Sequence, residues 1–237
     1  RRVMPLERDA PLTPALLRST QERLLELGVF TSVNVAPQDP ELPARVKPVE
    51  VTFAERKTQY LDFRAGVSTG QGARFGLSYG YRNLFGTAMS LTLAAQFGYQ
   101  FFFLDDEVER RFQSLSLQDR LERRVSASLG IPYIGLPSVR TTLGLIHQRE
   151  NERNFGLSRN SIDLTFAWRA HRTVNVQFSG DVENNDVDVL GGQSYEDVLE
   201  ATSGDPRLRS LLRVPEGAST LVAAEISATL DRRDSPF

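Results

Sequence analysis

The chain has 237 residues, with 28 Lys and Arg against 30 Asp and Glu and a net charge of -2. That balance lacks the basic surplus of a nucleic-acid binder, and the absence of cysteine excludes a disulfide framework and thiolate metal sites. No run of about eighteen apolar residues offers a transmembrane helix, and the mean hydropathy of -0.30 is that of a water-soluble protein.

In chain order, the first expected element is a helix. Thr13 is a good N-cap, Pro14 fits the first helical position, Leu17, Leu24 and Leu27 share one face, and Gly28 is placed to end the helix. An alternating strand follows from Phe30 to Val35, then a loop over 36–47 with three prolines, then a second strand from Val49 to Phe53. Helix, strand, loop and strand are too little for an independent domain and read as the back half of a small α/β module. The opening residues carry no apolar targeting segment.

From Tyr60 onward the period changes to two. Leu61, Phe63, Ala65 and Val67 alternate with Asp62, Arg64, Gly66 and Ser68. Seven further strands with one apolar and one polar face are expected: Arg74 to Arg82, Met89 to Tyr99, Arg124 to Tyr133, Val139 to His147, Ser161 to Ala170, Val174 to Val182 and Thr220 to Asp231. Connections over 83–88, 134–138 and 171–173 are short, whereas those over 100–123, 148–160 and 183–219 are long. Short turns at one end and long loops at the other are the pattern of an outer-membrane barrel. Tyr81, Phe85, Phe101, Phe102, Phe103, Tyr133 and Trp168 fall near strand ends, where interfacial aromatics belong. The fold class is therefore mainly β, an antiparallel transmembrane β-barrel of about eight strands preceded by a partial α+β module. A soluble β-sandwich is the competing architecture.

Little in the chain suggests catalysis. His147 and His171 have no carboxylates at metal-ligand spacing and read as rim histidines, one at a strand end and one in a turn. The run Asp181, Glu183, Asn184, Asn185, Asp186 and Asp188 lacks the glycine of a calcium loop and reads as a solvated extracellular loop. Arg110, Arg111, Arg120, Arg123 and Arg124 could meet lipid phosphates, but Asp105, Asp106, Glu107, Glu109, Asp119 and Glu122 interleave with them. That mixture reads first as a self-paired loop, with a short amphipathic helix through Phe112, Leu115 and Leu117. Gly70, Gly72 and Gly76 lie in a hairpin with no helix after them, so turn chemistry accounts for them. No cofactor and no enzymatic activity are expected.

Several of these stretches resemble one family. Leu12 to Val35, with its helix, L-G-x-F and x-x-V-x-V, resembles the end of a POTRA domain, and Val49 to Lys57 resembles the last POTRA strand entering a barrel. Gly72 to Leu93, with its R-N-L-F-G turn, is similar to the second and third strands of BamA/TamA-type outer-membrane assembly barrels. Ile131 to Val139 resembles their next periplasmic turn, and Leu230 to Phe237 resembles the stretch after their eighth strand. The resemblance implies that residues 1–57 are the C-terminal part of a POTRA domain and that residues 58–237 are the N-terminal half of a barrel of about sixteen strands. On that reading the chain begins inside one domain and stops partway through another.

The implied function is outer-membrane protein assembly, insertion or translocation, with the N-terminal part in the periplasm. Two strands would carry it. The first barrel strand (Leu61, Asp62, Phe63, Arg64, Ala65, Gly66, Val67, Ser68) would lie at a weakly closed seam and template an incoming strand. The POTRA edge strand (Phe30, Thr31, Ser32, Val33, Asn34, Val35) would pair with unfolded client. Expected partners are the lipid bilayer, unfolded outer-membrane or secreted clients and accessory lipoproteins, and not nucleic acid. The alternative is a two-partner-type secretion transporter, or a passive channel or anchor barrel.

Overall fold

A computed structural model describes residues 4, 6, 11–42, 44–69, 72–101, 106–134, 138–151, 155–171, 173–189 and 217–231. Helix α1 (Pro14–Glu26) starts where the capping chemistry places it. The Leu16 amide donates to Thr13 Oγ1 at 3.2 Å, and Pro14 occupies the first turn, where no intrahelical N–H is needed. Past its end the backbone turns left-handed at Gly28, with φ 73°. Strands β1 (Phe30–Pro37) and β2 (Val49–Glu55) form a two-stranded antiparallel sheet, and α1 covers one face of it. Leu24, Val33 and Val35 are the buried centre, with Leu17, Leu27, Phe30, Val49 and Val51 packed around them. Thr20 is fully enclosed, and its hydroxyl is satisfied by donating to the Leu16 carbonyl at 2.7 Å.

The remaining strands make one antiparallel meander. They are β3 (Gln59–Ser68), β4 (Gly72–Leu84), β5 (Met89–Tyr99), β6 (Leu121–Ile131), β7 (Val139–Asn151), β8 (Phe155–His171), β9 (Val174–Val189) and β10 (Gly217–Leu230). Each pairs with its neighbours in sequence, so β3 and β10 are the two edges of an eight-stranded sheet. The register gathers most of the apolar residues of the strands on one face. One row runs Tyr81, Leu91, Leu129, Leu143, Leu164, Gly180, Ala224. The row Leu77, Ala95, Val125 begins apolar but continues as His147, Asn160, Asn184, Thr220. The apolar belt therefore crosses the hydrogen-bonded rows obliquely.

Several expected boundaries move. β6 starts three residues earlier than the alternation suggests and ends at Ile131, because Arg123, Glu122 and Leu121 still pair with Phe97, Gly98 and Tyr99. Of the loop expected over 148–160, residues 148–151 and 155–160 are strand: β7 and β8 run on in register to Asn151 opposite Gly156. His147 consequently lies within β7 and not at its end. The acidic run is also strand and not loop, since Asp181, Glu183 and Asn185 pair with Asp163, Ser161 and Arg159 in β9–β8. The apolar alternation stops before the strands do, but ladder hydrogen bonds continue, so hydropathy alone cuts these strands short. The connection between β5 and β6 holds α2 (Asp106–Ser114) and α3 (Leu117–Arg120), the latter capped by Ser116. The expected amphipathic helix is thus two pieces, with Phe112 buried against Tyr99 at 6.1 Å between ring centroids. Gly70, Phe102, Phe103, Asp105, the side chains of Glu107, Arg111 and Asp188, and residues 232–237 of the final motif lie outside the described residues.

The R-N-L-F-G turn is the most demanding backbone of the sheet. Asn83, Phe85, Gly86 and Ala88 all have positive φ, of 64°, 54°, 70° and 60°. Asn83 organises it: its Oδ1 accepts from the Ala88 amide at 2.9 Å, and its carbonyl accepts from the Gly86 amide at 3.1 Å. Asn tolerates the left-handed region that costs other non-glycine residues about 1–2 kcal/mol. Asn83→Ala is expected to lower the stability of the full-length protein by about 1–2 kcal/mol, and Asn83→Gly by less, in urea titrations of the membrane-reconstituted protein. Equal losses for the two would assign the cost to the lost side-chain bond alone.

Candidate functional site

Strand β3 contains all eight residues singled out as a gate: Leu61, Asp62, Phe63, Arg64, Ala65, Gly66, Val67 and Ser68. Its only strand partner among the described residues is β4, from Gln59 opposite Tyr81 to Ser68 opposite Gly72. The strand is held unevenly. At its base the Arg82 amide donates to the Thr58 carbonyl at 2.6 Å, and the Arg82 guanidinium donates to the Lys57 carbonyl at 3.1 Å. The same guanidinium lies over the Tyr60 ring, 4.3 Å from its centroid. Tyr60 in turn covers Gly80, whose missing side chain leaves room for the ring.

Higher up, the packing thins. Phe63 meets Phe75 edge to face at 4.8 Å yet remains 69% exposed. A side chain at Gly66 would meet nothing within 4 Å. Leu61 and Val67 are also exposed. A strand with both faces bare and one edge unpaired among the described residues is anchored mainly at one end.

The second candidate, Phe30, Thr31, Ser32, Val33, Asn34 and Val35, lies within β1. Val33 and Val35 point into the small core, while Thr31, Ser32 and Asn34 are exposed. β2 occupies one edge of β1, and the register slips between Phe30 and Ser32. Phe30 packs on Phe53 at 4.9 Å. The other edge has no strand beside it among the described residues.

Sequence reasoning missed how the two parts touch. The Glu26 carboxylate, in the last turn of α1, is ion-paired with Arg169 of β8, and Arg140 of β7 donates to the Glu26 carbonyl. Nothing in the sequence links positions more than a hundred residues apart. Tyr133 lies in the adjacent turn. Burial first, and then the Glu26 carboxylate, push its phenol up from its ordinary value against the opposing pull of Arg140, Arg23 and Arg169.

The polar face carries ion pairs along its strands. Arg74 meets Glu122 at 3.1 Å, and Arg159 meets Glu183 at 3.1 Å with Asn185 beside it. These claim carboxylates that the sequence assigned to loops. Among the described residues two acids of the arginine-rich connection pair outside it, Asp119 with Arg149 at 3.5 Å and Glu122 with Arg74, while Arg110 donates to the Asp106 carbonyl within it. No group of three or more His, Asp or Glu converges as a metal site among the described residues. His171 bonds Thr173 at 2.9 Å, and His147 bonds Asn160 at 2.8 Å. Among the described residues the arrangement presents backbone edges and surfaces.

An open antiparallel meander of eight tilted strands, with a continuous apolar face, is a β-barrel-type sheet. Compared with solved structures, the whole chain (100%) aligns with the crystal structure of BamA from Haemophilus ducreyi lacking POTRA domains 1-3, at a TM-score of 0.54 and 12% identity. It covers 42% of that chain's length. The fold is that of a BamA-like β-barrel sheet. No family model and no curated protein matches.

Proposed function

We propose that this chain is part of an outer-membrane protein assembly, insertion or translocation factor and has no enzymatic activity. On this reading residues 58–237 are the N-terminal half of a transmembrane barrel, and residues 1–57 are the C-terminal part of a periplasmic POTRA domain. The observation that carries the reading is β3, an edge strand anchored at its base and bare above. Its backbone edge offers donors and acceptors to an incoming strand, which would add by β-augmentation. The apolar span from Leu61 to Val67 is about 20 Å long, and less across the slab once tilted, against an apolar band of about 25 Å in such barrels. That mismatch favours local thinning of the bilayer beside the edge. The free edge of β1 would hold unfolded outer-membrane or secreted client on the periplasmic side, with accessory lipoproteins as further partners.

The test places a photo-crosslinking residue at Phe63 or Ser68 of the full-length protein in cells. Adducts with nascent outer-membrane proteins are the expected result. Crosslinks confined to another strand of the same barrel would mean a sealed seam. They would shift the reading to a two-partner-type secretion transporter, a passive channel or an anchor barrel.

A further inference from the structure

We infer that the apolar face of the sheet carries a binding groove for one phosphorylated, acylated lipid, with its chains on β5–β8 and its phosphate at Arg123. The inference rests on the reading of that face as lipid-facing. The groove has a volume of about 780 Å³. Its floor is Ala95 and Ala127, diagonal neighbours in the register, and its walls are Leu93, Leu145, Ile162 and Val182. Two small side chains among large ones leave a trough that an alkyl chain fills with methylene contacts of about 0.8 kcal/mol per buried CH₂.

One end of the trough is polar. His147, Asn160 and Asn184 close it in a single cross-strand row. The Arg123 Nε donates to His147 Nε2 at 3.2 Å, so His147 Nδ1 carries the proton and donates to Asn160 Oδ1 at 2.8 Å. That leaves the Asn160 amide nitrogen as a further donor beside the guanidinium.

Among the described residues the charge at this end is unbalanced. Arg123 stands directly opposite Arg149 in the ladder, and like charges facing each other across a strand pair are destabilising. Asp119 answers Arg149 at 3.5 Å, but no carboxylate lies within ion-pairing distance of Arg123 among the described residues. Arg123 otherwise gives a hydrogen bond to the Gln118 carbonyl at 3.1 Å. Among the described residues the next acid on the same face and row is Asp186, three strands from Arg123, or about 14 Å. An uncompensated guanidinium with neighbouring amide and imidazole groups, at the polar end of an aliphatic trough, matches a phosphate ester joined to acyl chains. The polar end points away from the tight turns and from α1, so the lipid belongs to the leaflet opposite the N-terminal unit.

The test uses the full-length protein in phosphatidylcholine vesicles doped either with phosphatidic acid or with diacylglycerol of the same chains. Bound lipid is counted by native mass spectrometry. Wild type is expected to retain phosphatidic acid about tenfold over diacylglycerol, the size of one charge-assisted contact. Arg123→Gln should bring that ratio close to one, and Ala127→Phe, which fills the trough, should lower retention of both lipids. Retention of both lipids left unchanged by Ala127→Phe would reveal an anion site without a chain site and would overturn the inference. So would a ratio near one in wild type, or a ratio that Arg123→Gln leaves unchanged. Failure of the protein to float with the vesicles is a separate result that overturns the lipid-facing reading and this inference together.

Discussion

Leu164→Arg in the full-length protein is expected to cost about 2–4 kcal/mol of folding stability in a bilayer, while Thr165→Arg costs much less. Leu164 lies on the apolar face between Leu143 and Gly180, at mid-height of the belt. Thr165 is its neighbour in sequence but lies on the polar face, between Thr142 and Ser179. An arginine at 164 would place a guanidinium against hydrocarbon, where snorkelling is longest, whereas at 165 it would join a face that already carries Arg159, Asp163 and Arg169. Urea titration of the reconstituted protein measures both. Equal costs at 164 and 165 would mean that neither face is set against an apolar environment, and folding of both variants without lipid would remove the membrane from the account.

Gly72→Val should be the most damaging change at the head of the first hairpin, at about 3 kcal/mol, and Gly66→Val close to neutral. Gly72 has φ +70°, and a Cβ there would come within 2.1 Å of the Tyr99 carbonyl oxygen and 2.7 Å of the Gln100 Cα. Those are backbone atoms of β5 and its exit, so no rotamer change relieves the clash. The strand pairs β3–β4 and β4–β5 would separate at that end first. Six residues away in sequence, Gly66 has open space around it and an ordinary strand backbone, and valine suits such a position. Hydrogen exchange of β3 to β5, together with urea midpoints, separates the two. A Gly66→Val variant as damaged as Gly72→Val would mean that something in the complete protein covers β3, and the gate assignment would fall with it.

The placement of α1 was legible because each end has its own chemistry: Thr13 and Pro14 at one, Gly28 at the other. The R-N-L-F-G turn was legible as a short connection between two alternating runs and from its resemblance, while the positive φ of Asn83, Phe85, Gly86 and Ala88 came only with the structure. The strands were legible wherever one face is apolar. Reading failed where the apolar alternation breaks, as in residues 148–151, 155–160 and 183–189, which looked like loop and are strand. There the ladder hydrogen bonds, and pairs such as Arg159 with Glu183, hold a conformation that hydropathy does not report. Neither Tyr60 over Gly80 under Arg82 nor Glu26 between Arg140 and Arg169 left any trace in spacing.

By itself, then, the sequence determined the local grammar: one capped helix, strands of period two, and which residues of each strand share a face. Those follow from interactions between near neighbours and from a periodicity written into the chain. The tertiary structure decided how far the strands extend, how the apolar belt slips obliquely across eight of them, and that β3 stands at an edge, anchored at its base and bare above. It also brought Arg123 opposite Arg149 over an aliphatic trough. These are matters of register between strands, and register is set by the whole ladder at once, so no single stretch of sequence carries it.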